Sequence, residues 1–185
     1  MEIPPIVDLG NTDRLLIRSP QEKDLEPITA LWTDPDVTHY IGGPRDGDMV
    51  TDSFRQYITD PQALLEEEWE LWWSIIEQSS VQFIGLNAIL EKEVEGETVY
   101  DLGYFLLPPF WGQGFATEAS RRVVAYAFEE LELPSLIAII DPRNQPSQSV
   151  AQKLGMRLER ETLRSDGVIR RVYRLEQSDW KNASA

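Results

Sequence analysis

A mixed α/β (α+β) fold, with a central, mostly antiparallel sheet flanked by helices, is what the sequence predicts, and three observations predict it. Residues 69–107 alternate β-rich runs with polar or glycine-containing turns, the pattern of an antiparallel meander. An amphipathic helical pattern and then a buried-type aliphatic run at 136–140 follow, so the chain crosses over the sheet in its second half. A short helix and a final hairpin complete the order, which is not that of a doubly wound nucleotide fold. With 185 residues and 21.2 kDa, the chain has the size of one domain.

Residues 1–12 contain Pro and Gly without a period and read as a tail or an added edge segment; the domain is expected over 13–177 and a C-terminal tail over 178–185. Residues 15–18 read as a strand. Ser19-Pro20-Gln21-Glu22 has capping-box spacing with Pro at the first helical position, opening a helix that carries Leu25, Ile28, Ala30 and Leu31. Residues 33–48 are turn-rich, broken by Asp34-Pro35 and Gly42-Gly43-Pro44, and helical pieces follow at 50–58 and 62–67. The meander strands fall at 71–76, 81–90 and 98–107, ended by Pro108-Pro109. In the next helix Ala119, Val123 and Ala127 form one row, with Val124, Phe128 and Leu131 beside it. A short helix at 147–154 stops at Gly155, and 156–162 with 168–175 form a hairpin around Asp166-Gly167.

Composition narrows the function. Lys plus Arg number 17 against 32 Asp plus Glu, a net charge of −15, which argues against nucleic acid and suits a cationic partner or simple solubility. Cysteine is absent, excluding disulfides, thiolate metal sites and a thiol nucleophile, and the single histidine, His39, leaves little for a metal site. No apolar leader segment opens the chain and no run is long enough to span a bilayer, so a cytoplasmic protein without a membrane partner is expected.

The strongest local signal is Trp111-Gly112-Gln113-Gly114-Phe115-Ala116-Thr117-Glu118-Ala119. A strand stops at a Pro pair, two glycines let the backbone turn, and a helix begins at once, aiming its free N–H groups and dipole at the loop. Such a place binds phosphate, and Arg121 or Arg122 stands near enough in sequence to help. The P-loop pattern G-x-x-x-x-G-K-[ST] is missing, which excludes an ATP cradle of that type. After the next strand comes Asn144-Gln145-Pro146-Ser147, then Val150-Ala151 and Lys153-Leu154-Gly155-Met156.

Read together, the two segments resemble the GNAT superfamily of acetyl-CoA-dependent N-acetyltransferases, in the RimJ/RimL branch of ribosomal-protein N-terminal acetyltransferases. In that branch the loop reads roughly W-G-x-G-[YF]-A-T-E-A and the later segment N-x-x-S-x-x-[VL]-x-x-K-x-G-[FM]. Thr12-Asp13-Arg14-Leu15-Leu16-Ile17-Arg18 and Asp34-Pro35-Asp36-Val37 extend the resemblance, which covers about residues 13–175.

The resemblance implies a GNAT-like fold and acetyl-CoA as cosubstrate, without a metal. Phe105, Leu106 and Leu107 would offer backbone groups to the pantetheine arm. Gly112, Gln113, Gly114, Phe115, Ala116 and Thr117 would surround the pyrophosphate. Asn144 and Ser147 would contact the arm near the thiol, although an N-cap and a first-turn polar residue are their ordinary roles. The tyrosine that often acts as general acid in the superfamily is Ala151 here, so Ser147 is the matching donor. Without cysteine, the amine attacks acetyl-CoA directly. It must first lose a proton, for which Asp101 is the first candidate base and His39, beside Tyr40, the second. Glu118 fits a helix-dipole role. Trp69, Trp72, Trp73 and Phe83 read as core, with an apolar acceptor slot as the alternative.

The implied activity is N-acetylation of a primary amine, first a protein N-terminal α-amine. A small cationic amine such as a polyamine or aminoglycoside, and a non-catalytic acyl-CoA-binding module, are the alternatives. Asp34, Asp36, Asp46, Asp48, Asp52 and Glu66-Glu67-Glu68 lie on the expected acceptor side. Monomer and homodimer through the last strands both remain open.

Overall fold

The computed structural model describes residues 7–60, 69–163 and 167–184, and its eight strands join in one sheet. In chain order they are β1 (Gly10–Asn11), β2 (Leu15–Arg18), β3 (Glu70–Glu77), β4 (Gln82–Val94), β5 (Glu97–Leu106), β6 (Ser135–Ile140), β7 (Arg157–Leu163) and β8 (Ile169–Glu176). Their spatial order is β1-β2-β3-β4-β5-β6-β8-β7, antiparallel throughout except between β5 and β6. The expected helix at 62–67 and Asp166 of the hairpin turn lie outside the described residues.

Strand alternation sends apolar side chains to both faces, and helices cover both. On one face α1 (Leu25–Thr33) and α3 (Gly47–Thr59) bury Leu25, Ile28, Leu31, Val50 and Phe54 against Trp72, Leu86 and Ala88. On the other, α4 (Phe115–Glu129) lays Ala119, Val123, Val124, Ala127 and Phe128 on Leu15, Ile17, Leu71, Trp73, Ile84 and Leu102. The row spacing read from the sequence is thus the buried stripe of α4, except that Leu131 lies past its end and is half-buried. Each large side chain so removed from water contributes about 1.5–3 kcal/mol.

The first helix starts later than the Ser19-Pro20 box implies. The Gln21 N–H donates to Asp24 Oδ2 at 2.9 Å, and Asp24 also holds both Arg18 nitrogens, at 2.6 and 2.8 Å, and Ser74 Oγ at 3.0 Å. Arg18 and Asp24 are both buried, so neither charge survives without the other. Burial opposes ionisation of Asp24, but the bonds from Arg18, Gln21 and Ser74 outweigh it and hold the carboxyl below its usual value.

Two further segments differ from expectation. The turn-rich stretch contains a short helix, α2 (Pro35–Thr38), because Asp34 Oδ1 caps the N–H groups of Asp36 and Val37 at 2.8 and 3.3 Å. The C-terminal residues expected as a tail form α6 (Gln177–Ser184), where Trp180 meets Phe128 at 6.2 Å and Gln177 Nε2 donates to the Phe128 carbonyl at 2.8 Å. Between them, α5 (Gln145–Lys153) ends where Gly155 takes φ of +90°. No described helix is long and apolar enough to cross a membrane.

Candidate active site

The site begins where the parallel ladder opens. β5 and β6 share a single register pair, Asp101 with Ile137. Two residues further along β6, the Ile139 N–H meets the Asp101 side chain, donating to Oδ1 at 3.2 Å. The Asp101 carboxylate therefore serves the β6 main chain at the point of divergence. Its other oxygen takes Lys92 Nζ at 2.5 Å, and Asp101 is buried.

Beyond Asp101 the two strand ends form the walls of a gap. The Leu107 N–H donates to the Ile84 carbonyl at 2.9 Å, and Phe105 stands opposite Leu86. By antiparallel alternation Phe105 and Leu107 turn their main-chain groups to β4, whereas Tyr104 and Leu106 turn theirs to the gap. Of these, the Leu106 carbonyl already accepts Trp111 Nε1 at 2.6 Å. Of the three residues expected to meet a pantetheine arm, Leu106 turns its main-chain groups to the gap, as Tyr104 does, while Phe105 and Leu107 turn theirs to β4.

The loop expected to hold phosphate leads straight into α4. Gly112 and Gly114 have φ of +72° and +84°, a left-handed backbone that other residues adopt at a cost of about 1–2 kcal/mol. A Cβ on Gly112 would meet nothing within 4 Å, and one on Gly114 would meet only Arg14 Nη2, at 3.5 Å. Backbone conformation, then, is what demands glycine at both positions. The Glu118 N–H is the first to find a helical carbonyl, that of Gly114, at 3.0 Å, which leaves the amides of Phe115, Ala116 and Thr117 outside the helical ladder. Gln113 Nε2 closes the loop on the Pro109 carbonyl at 2.9 Å.

The cations named from sequence spacing are used elsewhere. Arg122 Nε binds the Leu9 carbonyl at 2.8 Å and Arg121 Nη2 the Lys153 carbonyl at 3.2 Å. The guanidinium at the loop belongs to Arg14, which lies 4.3 Å over the Phe115 ring and donates to the Gln113 carbonyl at 3.1 Å. Sequence reasoning quoted Arg14 only as part of a family-like string.

On the opposite wall, Asn144 Oδ1 accepts the Ser147 N–H at 3.1 Å, the N-cap of α5. The Ser147 hydroxyl donates to Tyr104 Oη at 3.0 Å, and Tyr104 in turn donates to the Ser147 main-chain carbonyl at 2.9 Å. Tyr104 reaches from β5 to α5 across the gap. Burial, more than any other influence, raises its phenol well above the ordinary value, so it stays protonated. Ahead of α5, Asp141 binds the Arg143 guanidinium at 2.8 and 3.0 Å, and these bonds pull its carboxyl down to about 2.

His39 is exposed and meets Tyr40 edge-on with ring centroids 4.6 Å apart, while Arg143 lies 5.9 Å from the Tyr40 ring. That contact brings the His39 segment to the turn before Asn144. No contact among the described residues joins His39 to Asp101 or Ser147. The acidic segment is spent partly on local structure: Asp34 and Asp46 cap helices, and Asp52 pairs with Arg55 at 3.1 Å. Glu66, Glu67 and Glu68 lie outside the described residues. The tryptophans divide by alternation, Trp73 facing Tyr126 at 5.6 Å and Trp69 facing Tyr100 at 5.2 Å on one side of the sheet. Trp72 stands on the other, with Trp32 at 6.0 Å, and Trp32 meets Phe105 at 4.9 Å near the end of β5.

The Acetyltransferase (GNAT) domain family matches residues 14–157 of this chain. The uncharacterized N-acetyltransferase YoaA of Bacillus subtilis is 30% identical over 154 residues, spanning 80% of this chain and 82% of the relative. The ribosomal-protein-S5-alanine acetyltransferase of Vibrio fischeri superposes with a TM-score of 0.74 at 16% identity, over 92% of this chain and 97% of that one. The spermidine N-acetyltransferase of Vibrio cholerae, solved with CoA and spermine, has a TM-score of 0.73 at 19% identity, over 92% of this chain and 100% of that one. The family match spans well over half of the chain, and the chain belongs to the GNAT acetyltransferase family.

Proposed function

We propose that this protein transfers the acetyl group of acetyl-CoA directly to the N-terminal α-amine of a protein or peptide. One observation carries the choice of acceptor: the buried carboxylate beside the gap, Asp101, is held by Lys92 Nζ and the Ile139 N–H. Both of its oxygens are therefore engaged by this chain's own groups, and in this reading Asp101 is not the base. An acceptor that gives up its proton readily needs the least help. An α-amine ionises near 7.7–8.0 and an alkylamine near 10.4, a difference of roughly 2.5 units or about 3.4 kcal/mol in favour of the α-amine.

In this reading the amides of Phe115, Ala116 and Thr117, with the turn at Gly112, Gln113 and Gly114, hold the pyrophosphate. Tyr104 and Leu106 offer main-chain groups to the arm, and Asn144 fixes the turn that presents Ser147. Ser147 donates a proton to the departing thiolate, in the place that Ala151 leaves without a hydroxyl. His39, exposed at the acceptor side, receives the amine proton through water.

Net charge of −15, with Asp36 and Asp48 exposed, favours a second reading, a small polyamine acceptor. A screen of peptides with free N-termini against spermidine and aminoglycosides, read as thiol release from acetyl-CoA, separates the two. Binding of acetyl-CoA without turnover of any amine would favour the non-catalytic module.

A further inference from the structure

We propose that Tyr104 is the positioning residue for Ser147, setting the serine hydroxyl toward the departing thiolate from the opposite wall of the gap. The inference rests on the reading of Ser147 as proton donor and names what controls it. Two hydrogen bonds join the same pair of residues, Ser147 Oγ to Tyr104 Oη at 3.0 Å and Tyr104 Oη to the Ser147 carbonyl at 2.9 Å. A carbonyl only accepts, so the single phenol hydrogen sits on it and the serine hydrogen points to the phenol oxygen.

This arrangement is poised to turn over. A thiolate is an ionised acceptor and draws the Ser147 hydrogen away from the neutral phenol. The Tyr104 O–H then re-aims from the Ser147 carbonyl to Ser147 Oγ, which is already within reach. Each serine lone pair so engaged makes the hydroxyl a better donor. Over the reaction the C–S bond breaks as the C–N bond forms, the thiolate takes the serine proton, and serine recovers one from water, to which His39 releases the proton it received from the amine.

Without the phenol, the Ser147 hydroxyl loses the partner that fixes its rotamer and turns to solvent or to a local main-chain acceptor, so its hydrogen no longer faces the gap. Burial keeps the Tyr104 phenol protonated, which suits a group that holds a hydroxyl and does not itself donate the proton. Leu102 and Leu106, on the same side of β5, are buried and fix the height of Tyr104.

The test uses hydroxylamine as acceptor, so that it does not depend on the biological amine. Thiol release from saturating acetyl-CoA is measured above the protein-free rate, beside calorimetric Kd values and melting curves, for Tyr104→Phe, Ser147→Ala and the double variant. Tyr104→Phe is expected to lower kcat about tenfold or more with acetyl-CoA Kd within about twofold, as for loss of part of a proton-transfer contribution of roughly 10²–10⁴. In the Ser147→Ala background it is expected to do nothing further. Ser147→Thr, which keeps a hydroxyl, should retain most of kcat with Tyr104 present and lose it in the Tyr104→Phe background. A Tyr104→Phe kcat equal to the parent's overturns the proposal, as does an equal drop with and without Ser147, which would make the phenol an independent donor. A Ser147→Ala kcat equal to the parent's instead removes the serine reading, and is seen in that variant alone. A parent without turnover above the protein-free rate removes both.

Discussion

Glu118 holds Arg14 across the outer edge of the cofactor loop: Oε2 takes Arg14 Nε at 2.7 Å and Oε1 the Arg14 main-chain N–H at 2.9 Å. The same Oε1 accepts Thr12 Oγ1 at 2.6 Å, so a carboxylate in the first turn of α4 is tied to the edge of the sheet. Arg14 then pins the Gln113 carbonyl from outside. Arg14→Ala should therefore raise the acetyl-CoA Kd about tenfold, or roughly 1.4 kcal/mol, with a smaller change in kcat. Calorimetry and steady-state kinetics check it; an unchanged Kd would mean that the loop needs no support.

Acid stability should report Asp141. The bonds from Arg143 pull its carboxyl from 3.8 to about 2, so its contribution is present above the unfolded value and disappears as pH falls through the folded one. Melting temperature should fall between pH 4 and pH 2 partly through this group, and Asp141→Asn should flatten that part of the curve. An identical acid limb in the variant would assign the loss to other carboxylates, Asp24 and Glu118 first, since both are also held below their usual values.

Gly112→Ala and Gly114→Ala each force a side chain into left-handed backbone, costing about 1–2 kcal/mol of stability. Neither Cβ is crowded, since the one at position 112 would meet nothing within 4 Å and the one at 114 would be in ordinary contact with Arg14 Nη2. Both variants should weaken acetyl-CoA binding through the altered turn, by calorimetry on the folded protein. Equal affinity to the parent in both would separate the turn from the cofactor.

Asp46→Ala should cost about 1 kcal/mol, seen as a lower melting temperature, because Asp46 Oδ1 caps the Met49 N–H at 3.0 Å. Asp48→Asn, at an exposed residue, should leave stability alone and raise the amine KM slightly at low salt. A large KM effect from the first change with no loss of stability would restore Asp46 to the acceptor path.

The meander, the crossover helix and the final hairpin were legible in the sequence because each announces itself within a dozen residues. Ala119, Val123 and Ala127 fall on the buried stripe of α4 for that reason. What was not legible depends on distant partners. Tyr104 meets Ser147 across 43 residues and Arg14 meets Glu118 across 104, so neither has a local signature. Asp101 was visible as an acid ahead of Gly103-Tyr104, but its engagement by Lys92 and Ile139 was not. The helix at Gln177–Ser184 hid behind a polar sequence whose one large anchor is Trp180.

Direct transfer to an α-amine is decided by the ratio of kcat/KM for a short peptide with a free N-terminus to that for spermidine, measured by thiol release at pH 7 and fixed salt. Direct attack without a strong base predicts a ratio of about ten or more in favour of the peptide, since the free-base fraction of an α-amine exceeds that of an alkylamine by roughly two orders of magnitude at that pH. A ratio below one would contradict it, and would mean that the protein supplies a base strong enough to strip an alkylammonium.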